Sequence, residues 1–172
     1  VDSQDFVLTV NAVNDAPVLS AIEDQVIDED GVLSLTLSGS DVDADDLTYS
    51  ASVDGNASVD VTGTQLTVTP DVDYNGSITV SVNVTDGEYV DSQDFVLTVN
   101  AVNDAPVLTT IDDQAIDEDG VLSLTLSGSD VDADDLTYSA SVDGNAVIDL
   151  TGTQLTVTPD VDYNGTITVS VN

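Results

Sequence analysis

Hydrophobic positions along this chain recur at every second residue, in short runs. Leu33, Leu35 and Leu37 alternate with Ser34, Thr36 and Ser38, and Leu47, Tyr49, Ala51 and Val53 alternate with Thr48, Ser50 and Ser52. Ile78, Val80, Val82 and Val84 alternate with Thr79, Ser81 and Asn83, and Phe95, Leu97 and Val99 continue the pattern. A period of two puts one set of side chains on one face of a strand, and no stretch keeps the 3.6-residue period of a helix. Turn-forming residues separate the runs: Asp30-Gly31, Asp54-Gly55-Asn56, Thr62-Gly63, Asn75-Gly76 and Asp86-Gly87. The spacing predicts seven strands, at 17–27 (with a break), 32–38, 46–53, 57–61, 64–69, 77–84 and 89–100. Seven short strands with an apolar face and a Ser/Thr-rich face predict an all-β, antiparallel Greek-key β-sandwich of about 90 residues.

The whole pattern then repeats. Val1–Val10 returns as Val90–Val99, an offset of 89, and residues 1–83 differ from 90–172 only at positions 20, 21, 23, 26, 58, 59, 61 and 77. Such self-similarity marks a tandem array. Asn-Ala-Val-Asn-Asp-Ala-Pro, at 11–17 and again at 100–106, reads as a linker whose Pro opens the next strand. The domain frame is therefore offset from the chain. Residues 1–11 read as the last strand of a preceding repeat, 12–100 as a complete repeat, and 101–172 as a second repeat without its last strand. An unpaired strand and an open sheet edge are complementary, so head-to-tail strand exchange between copies is expected.

Composition narrows the function. The chain has 172 residues with no Lys, Arg, His, Cys, Met or Trp, and 34 acidic residues give a formal charge of -34. Nothing here can neutralise a phosphate, which excludes nucleic acid as a partner. General acid–base, Schiff-base and phosphate chemistry lose their usual residues. With 41% hydrophobic residues the chain can still bury a core. The apolar runs fall short of the roughly 18 residues of a membrane span, so no direct membrane insertion is expected. Abundant Asp without Lys also describes proteins adapted to high salt.

Asp outnumbers Glu thirty to four. Turns favour Asp, which accounts for part of this excess but not for its clustering. Asp41-Val42-Asp43-Ala44-Asp45-Asp46, repeated at 130–135, puts four carboxylates in six residues with no cation anywhere in the chain. A solvated acidic face is one reading. The other is a calcium site, because Ca²⁺ takes six to eight oxygen ligands from carboxylates, amide carbonyls and backbone.

Several motifs occur in a fixed order: Val-Asn-Asp-Ala-Pro after a strand, Ile-Asp-Glu-Asp, Asp-x-Asp ahead of Leu-Thr-Tyr-Ser, Asp-x-Asp-Tyr, and Val-x-Val-Thr-Asp-Gly. In this order they resemble the calcium motifs of cadherin repeats. The whole repeat is similar to the cadherin-like tandem repeats of very large bacterial surface adhesins exported by type I secretion, the extender domains of RTX adhesins. The resemblance implies an Ig-like or cadherin-like fold, Ca²⁺, neighbouring repeats as partners, and an extracellular, cell-surface setting such as a biofilm. Carried over by position, it implies Glu29, Asp71, Asp73, Asn100, Asn103, Asp104, Asp130 and Asp132 as the ligand set of the complete junction. It implies Asn11, Asn14, Asp15, Asp41, Asp43 and Asp86 for the earlier one, and Glu118, Asp160 and Asp162 as second-repeat counterparts of Glu29, Asp71 and Asp73. Asp45, Asp46, Asp134 and Asp135 match no ligand of that family and read as solvated, or as supporting the ligands without touching the ion. Tyr74 and Tyr163 read as packed turn anchors.

The functional expectation is a calcium-rigidified extracellular spacer that projects a distal adhesive region. A calcium-dependent carbohydrate- or cell-binding module is the alternative, against which stand the chain's five Tyr and two Phe, both Phe at inward strand positions. An enzyme built on a carboxylate pair, as in glycosidases, would be expected to break the repeat symmetry. Nothing does, and the chain is expected not to be an enzyme.

Overall fold

The computed structural model describes all 172 residues, which form sixteen β-strands and no helix. No helix is therefore long and apolar enough to cross a membrane. Two compact units divide the chain, Val1–Val102 and Asn103–Asn172.

The first unit contains β1 (Val18–Leu19), β2 (Gln25–Asp28), β3 (Leu33–Thr36), β4 (Gly39–Ser40), β5 (Thr48–Val53), β6 (Ala57–Thr62), β7 (Gln65–Pro70), β8 (Gly76–Thr85) and β9 (Val90–Asn100). One sheet has the order β2-β9-β8-β5, a second β3-β7-β6, and β1 pairs with β4 as a short ribbon. The break expected in the first run separates β1 from β2. Pairing is antiparallel except that β2 runs parallel to β9, from Gln25 opposite Leu97 to Asp28 opposite Asn100. Alternation fixes which face a strand buries but not the direction of its neighbour, so this pairing was not readable from the pattern.

The alternating residues form the core. Leu33, Leu66 and Val68 from one sheet meet Ile78, Val80, Val82, Val84, Phe95, Leu97 and Val99 from the other. Seven of these, Leu66, Val68, Ile78, Val80, Val82, Val84 and Leu97, have no exposed surface. At the turn before β8, the Tyr74 hydroxyl donates to the Ser77 carbonyl (3.1 Å) while its ring packs on the core. Gly76 has φ +142°, and a Cβ there would sit 2.8 Å from that hydroxyl, so the anchored turn needs glycine.

Residues 1–16 form no strand, and Val1–Asn11 is exposed throughout. Phe6, read as an inward residue, is 88% exposed, whereas its copy Phe95 is 2% exposed. Alternation says which side of a strand is apolar. It buries that side only where a second sheet covers it.

The second unit contains β10 (Val107–Leu108), β11 (Leu122–Thr125), β12 (Gly128–Ser129), β13 (Ala140–Val142), β14 (Ala146–Thr151), β15 (Gln154–Pro159) and β16 (Val169–Val171). Sheet β11-β15-β14 repeats β3-β7-β6, and β10-β12 repeats β1-β4, but the large sheet is reduced to β13-β16. Residues 114–117, which copy β2, form no strand. In the first unit β2 pairs with β9 alone, and within these 172 residues β9 has no second copy in that position. Only Leu126, Leu155 and Val157 are buried hydrophobics here.

Candidate metal centre

Where β4 ends, the chain enters the acidic loop Asp41–Asp46. The Asp41 Oδ1 accepts the backbone N–H groups of Asp43 (2.8 Å) and Asp45 (3.4 Å), which curls the loop around its first carboxylate. Ala44 takes φ +63° to complete the curl. One carboxylate oxygen each from Asp41, Asp43 and Asp45 then lies within 4.8 Å of the others.

Two further segments converge on this loop. The Asp15 N–H donates to Asp43 Oδ2 (2.8 Å), and Asn14 Nδ2 donates to Asp86 Oδ2 (3.0 Å). Linker residues 14–15, loop 41–45 and the β8–β9 turn thus meet at one end of the first unit. Asp86 sits in a tight turn, its Oδ1 accepting the N–H groups of Glu88 and Tyr89, each at 2.7 Å. The Tyr89 bond, with help from Glu88 and Asn14, holds the Asp86 carboxyl below its ordinary pKa. Asp45 moves the other way. Loss of water, then the negative charges of Asp41, Asp43, Asp86 and Asp46, push its pKa up.

The Asp41 Oδ2 is buried and has no hydrogen-bond partner. A buried carboxylate oxygen without a donor is costly, and more so among like charges. The chain holds no side-chain cation to answer it. The surrounding donors are all oxygens, the set that suits a hard divalent cation rather than a soft transition metal. The residues present therefore fit calcium.

Of the residues implied for this junction, Asn14, Asp15, Asp41, Asp43 and Asp86 come together, while Asn11 lies in the exposed segment Val1–Asn11. The sequence reads Asp45 as solvated or as a support behind the ligands, and although exposed it stands in the cluster itself. The missed signal was the spacing Asp41-x-Asp43-x-Asp45, the alternate-residue spacing with which a calcium loop supplies its first ligands.

Glu29 occupies a different position in the first unit. It is the one buried polar or charged residue, and its Oε1 accepts the Val102 N–H in a short hydrogen bond. Its own N–H donates to the Asn100 carbonyl (2.9 Å), and Asn100 Nδ2 donates to Asp28 Oδ1 (3.1 Å). Asp71 and Asp73 lie in the turn after β7, where the Asp73 N–H donates to Asp30 Oδ1 (3.4 Å) and the Asp71 carbonyl accepts the Tyr74 N–H (3.1 Å).

The second unit repeats the loop. Asp130 Oδ1 accepts the N–H groups of Asp132 (3.0 Å) and Asp134 (3.3 Å), and Asp132 Oδ2 accepts that of Asp104 (2.7 Å). Asn103 Nδ2 donates to the Asp104 carbonyl (2.8 Å), so Asn103, Asp104, Asp130 and Asp132 are gathered. Glu118 is exposed, and Asp160 and Asp162 form a turn like that of Asp71 and Asp73, with the Asp162 N–H on Asp119 Oδ1 (3.2 Å).

Among known structures, human protocadherin-24 EC1-2 (Form II) is similar with a TM-score of 0.52, 18% identity, and coverage of 92% of this chain and 86% of that one. Drosophila N-cadherin EC1-4 is similar with a TM-score of 0.51, 18% identity, and coverage of 92% of this chain and 45% of that one. At that identity the likeness establishes the fold, which is cadherin-like. A chitinase A of Pseudoalteromonas piscicida is 30% identical over 171 residues, covering 91% of this chain but only 20% of that protein. This chain therefore spans about a fifth of its relative. The profile of the bacterial Ig domain (Big_9) matches residues 14–98 and again 103–172. The chain belongs to the bacterial Ig domain family, which it represents twice in tandem.

Proposed function

We propose that this chain is a calcium-stiffened extracellular spacer, a stretch of a large bacterial surface adhesin of the RTX type that carries a distal adhesive region away from the cell. The observation that carries the calcium reading is Asp41: one of its carboxylate oxygens is buried and unpartnered inside a cluster of acids in a chain without a cation. Asn14, Asp15, Asp41, Asp43, Asp45 and Asp86 would hold the ion in the first unit, and Asn103, Asp104, Asp130 and Asp132 would do so in the second. Calcium supplies the positive charge these oxygens lack. The protein's part is to tie linker residues 14–15 to the 41–45 loop and the 86–89 turn, which fixes the linker to its sandwich.

The fold supports the same reading, because sandwiches in tandem add length without adding a reactive site. The chain has none of the His, Lys, Arg or Cys side chains on which most catalysis relies, and we read it as non-catalytic. Thermal melting with calcium, with magnesium and with EDTA tests the proposal. Calcium at 10 to 100 times its dissociation constant should add about 1.4–2.7 kcal/mol per site, a visible part of a domain's total of about 5–15 kcal/mol. An unchanged melting temperature in EDTA at moderate salt would overturn it.

The chitinase relative favours a second reading, in which the repeats assist carbohydrate binding in a larger polysaccharide-acting protein. Sugar platforms need exposed aromatics, and in the first unit's sandwich only Tyr89, 42% exposed, qualifies. Retention on chitin beads that is abolished by Tyr89→Ala would favour this reading over the spacer.

A further inference from the structure

The parallel pairing of β2 with β9 is one part of a longer run of contacts in the first unit. Gln25–Asp28 lies beside Leu97–Asn100, and the bonds continue in the same sense on both sides of this ladder. Before it, the Leu19 N–H donates to Asp91 Oδ2 (2.8 Å) and the Leu19 carbonyl accepts from Gln93 Nε2 (3.0 Å). The Ile22 N–H donates to Gln93 Oε1 (3.3 Å), and the Val96 N–H to Asp24 Oδ1 (2.8 Å). After it, Asn100 Nδ2 donates to Asp28 Oδ1 (3.1 Å), and the Glu29 N–H to the Asn100 carbonyl (2.9 Å). The Val102 N–H closes the run on Glu29 Oε1. Partners in these side-chain bonds are 71–74 residues apart throughout. Leu19–Glu29 is therefore laced to Asp91–Val102 in one direction over its whole length. Across the break between β1 and β2, side chains stand in for the backbone ladder.

Direction decides how such a run meets a pull. The chain enters this sandwich just before Leu19 and leaves it after Val102. Tension along the chain draws Leu19–Glu29 toward its own start and Asp91–Val102 toward its own end. In a parallel pair these displacements are opposed and lengthwise, so the bonds are strained together. In an antiparallel pair the same pull would part the strands at one place and break the bonds singly. Little else holds the entry, since β1 and β4 share only the pairs Val18–Ser40 and Leu19–Gly39. At the exit, Glu29 is 7% exposed, so water competes poorly for its bond to Val102.

We infer that Leu19–Glu29 and Asp91–Val102 form a load-bearing lock, which keeps the sandwich folded when the chain is pulled from both sides. Asp24, Asp91, Gln93 and Glu29 carry the lock where backbone pairing is absent. This goes beyond the spacer reading, because a spacer need only be stiff, and the lock requires no ion.

Single-molecule stretching of the full chain in EDTA tests it. The chain has no Cys, so two introduced thiols define the points of pulling. With Asn11→Cys and Ala105→Cys, the first unit lies between the handles and the lock is loaded lengthwise. With Asn11→Cys and Glu88→Cys, the entry segment is lifted from the start of β9 and the bonds are peeled in turn. All three positions are exposed. The lengthwise pull should need a several-fold larger force than the peeling pull. Asp24→Ala with Asp91→Ala should remove most of that difference, whereas Asp24→Asn with Asp91→Asn, which keeps the accepting oxygens, should retain it. Equal forces in the two directions overturn the inference. So does an alanine pair that lowers both forces alike, because these residues would then stabilise the sandwich without bearing load. A directional difference that needs calcium also overturns it, since the resistance would belong to the ion site. A melting temperature indifferent to calcium would instead sink the spacer reading and leave the lock standing.

Discussion

The two units share one sequence and differ in their interiors. Leu33 is buried and its copy Leu122 is half-exposed; Ile78, Val80 and Val82 are fully buried and their copies Ile167, Val169 and Val171 are not. The eight substitutions between the repeats do not touch these positions. What differs is a single strand. β9 brings Phe95, Leu97 and Val99 into the core, pairs with both β8 and β2, and positions the backbone that satisfies Glu29. Without such a strand, residues 114–117 lose their only pairing partner and Glu118 is exposed. A sandwich is thus less a sum of strands than a closure, in which the last strand completes the burial of all the others.

Supplying the strand is the strongest way to erase the difference. Each fully buried Phe, Leu or Val contributes about 1.5–3 kcal/mol, so appending the Val84–Val102 sequence after Asn172 should stabilise the second unit by several kcal/mol. One kcal/mol shifts the melting of a domain this size by about 4–8 °C. Calorimetry of the wild-type chain should resolve two transitions, and of the extended chain only the upper one. Substituting the same residue in its two settings is the next test. Phe95→Ala should cost about 3–5 kcal/mol in denaturant unfolding of the first unit, while Phe6→Ala should leave unfolding of the dilute chain within about 0.5 kcal/mol.

Glu29 and Glu118 give a smaller contrast. Glu29→Ala leaves the Val102 N–H unpaired and should cost about 1.5–3 kcal/mol, the range for hydrogen bonds to charged groups. Glu118→Ala should be close to neutral until the closing strand is supplied. Asp41→Ala should abolish the calcium-dependent part of the first unit's stability, about 1.4–2.7 kcal/mol, with little loss in EDTA. A variant that keeps its full calcium response would place the ion elsewhere.

Much of this was legible in the sequence because a period of two is a strong local signal. The alternations at 33–37, 78–84 and 95–99 gave most of the first unit's core, and 47–53 gave half-buried residues packed against it, whereas the core residues Leu19, Leu66 and Val68 lie outside these runs. The parallel β2–β9 pair was not legible, because strand direction depends on which segments meet across the fold. Phe6 was read as inward because its neighbours match those of Phe95, but burial depends on a partner sheet that lies outside the local pattern. At the acid site, Asn14, Asp15, Asp41, Asp43 and Asp86 were named from family motifs. Asp45 was passed over because no family ligand stands there, although its place two residues after Asp43 already put it on the same curl of chain.

Small-angle scattering of the extended chain, with both sandwiches closed, tests the spacer reading most directly. In EDTA the distance distribution should be broad; calcium should lengthen its maximum dimension and narrow the ensemble, while sodium at matched ionic strength should not. Superimposable curves with and without calcium, in a chain that calorimetry shows to have bound the ion, would contradict the account.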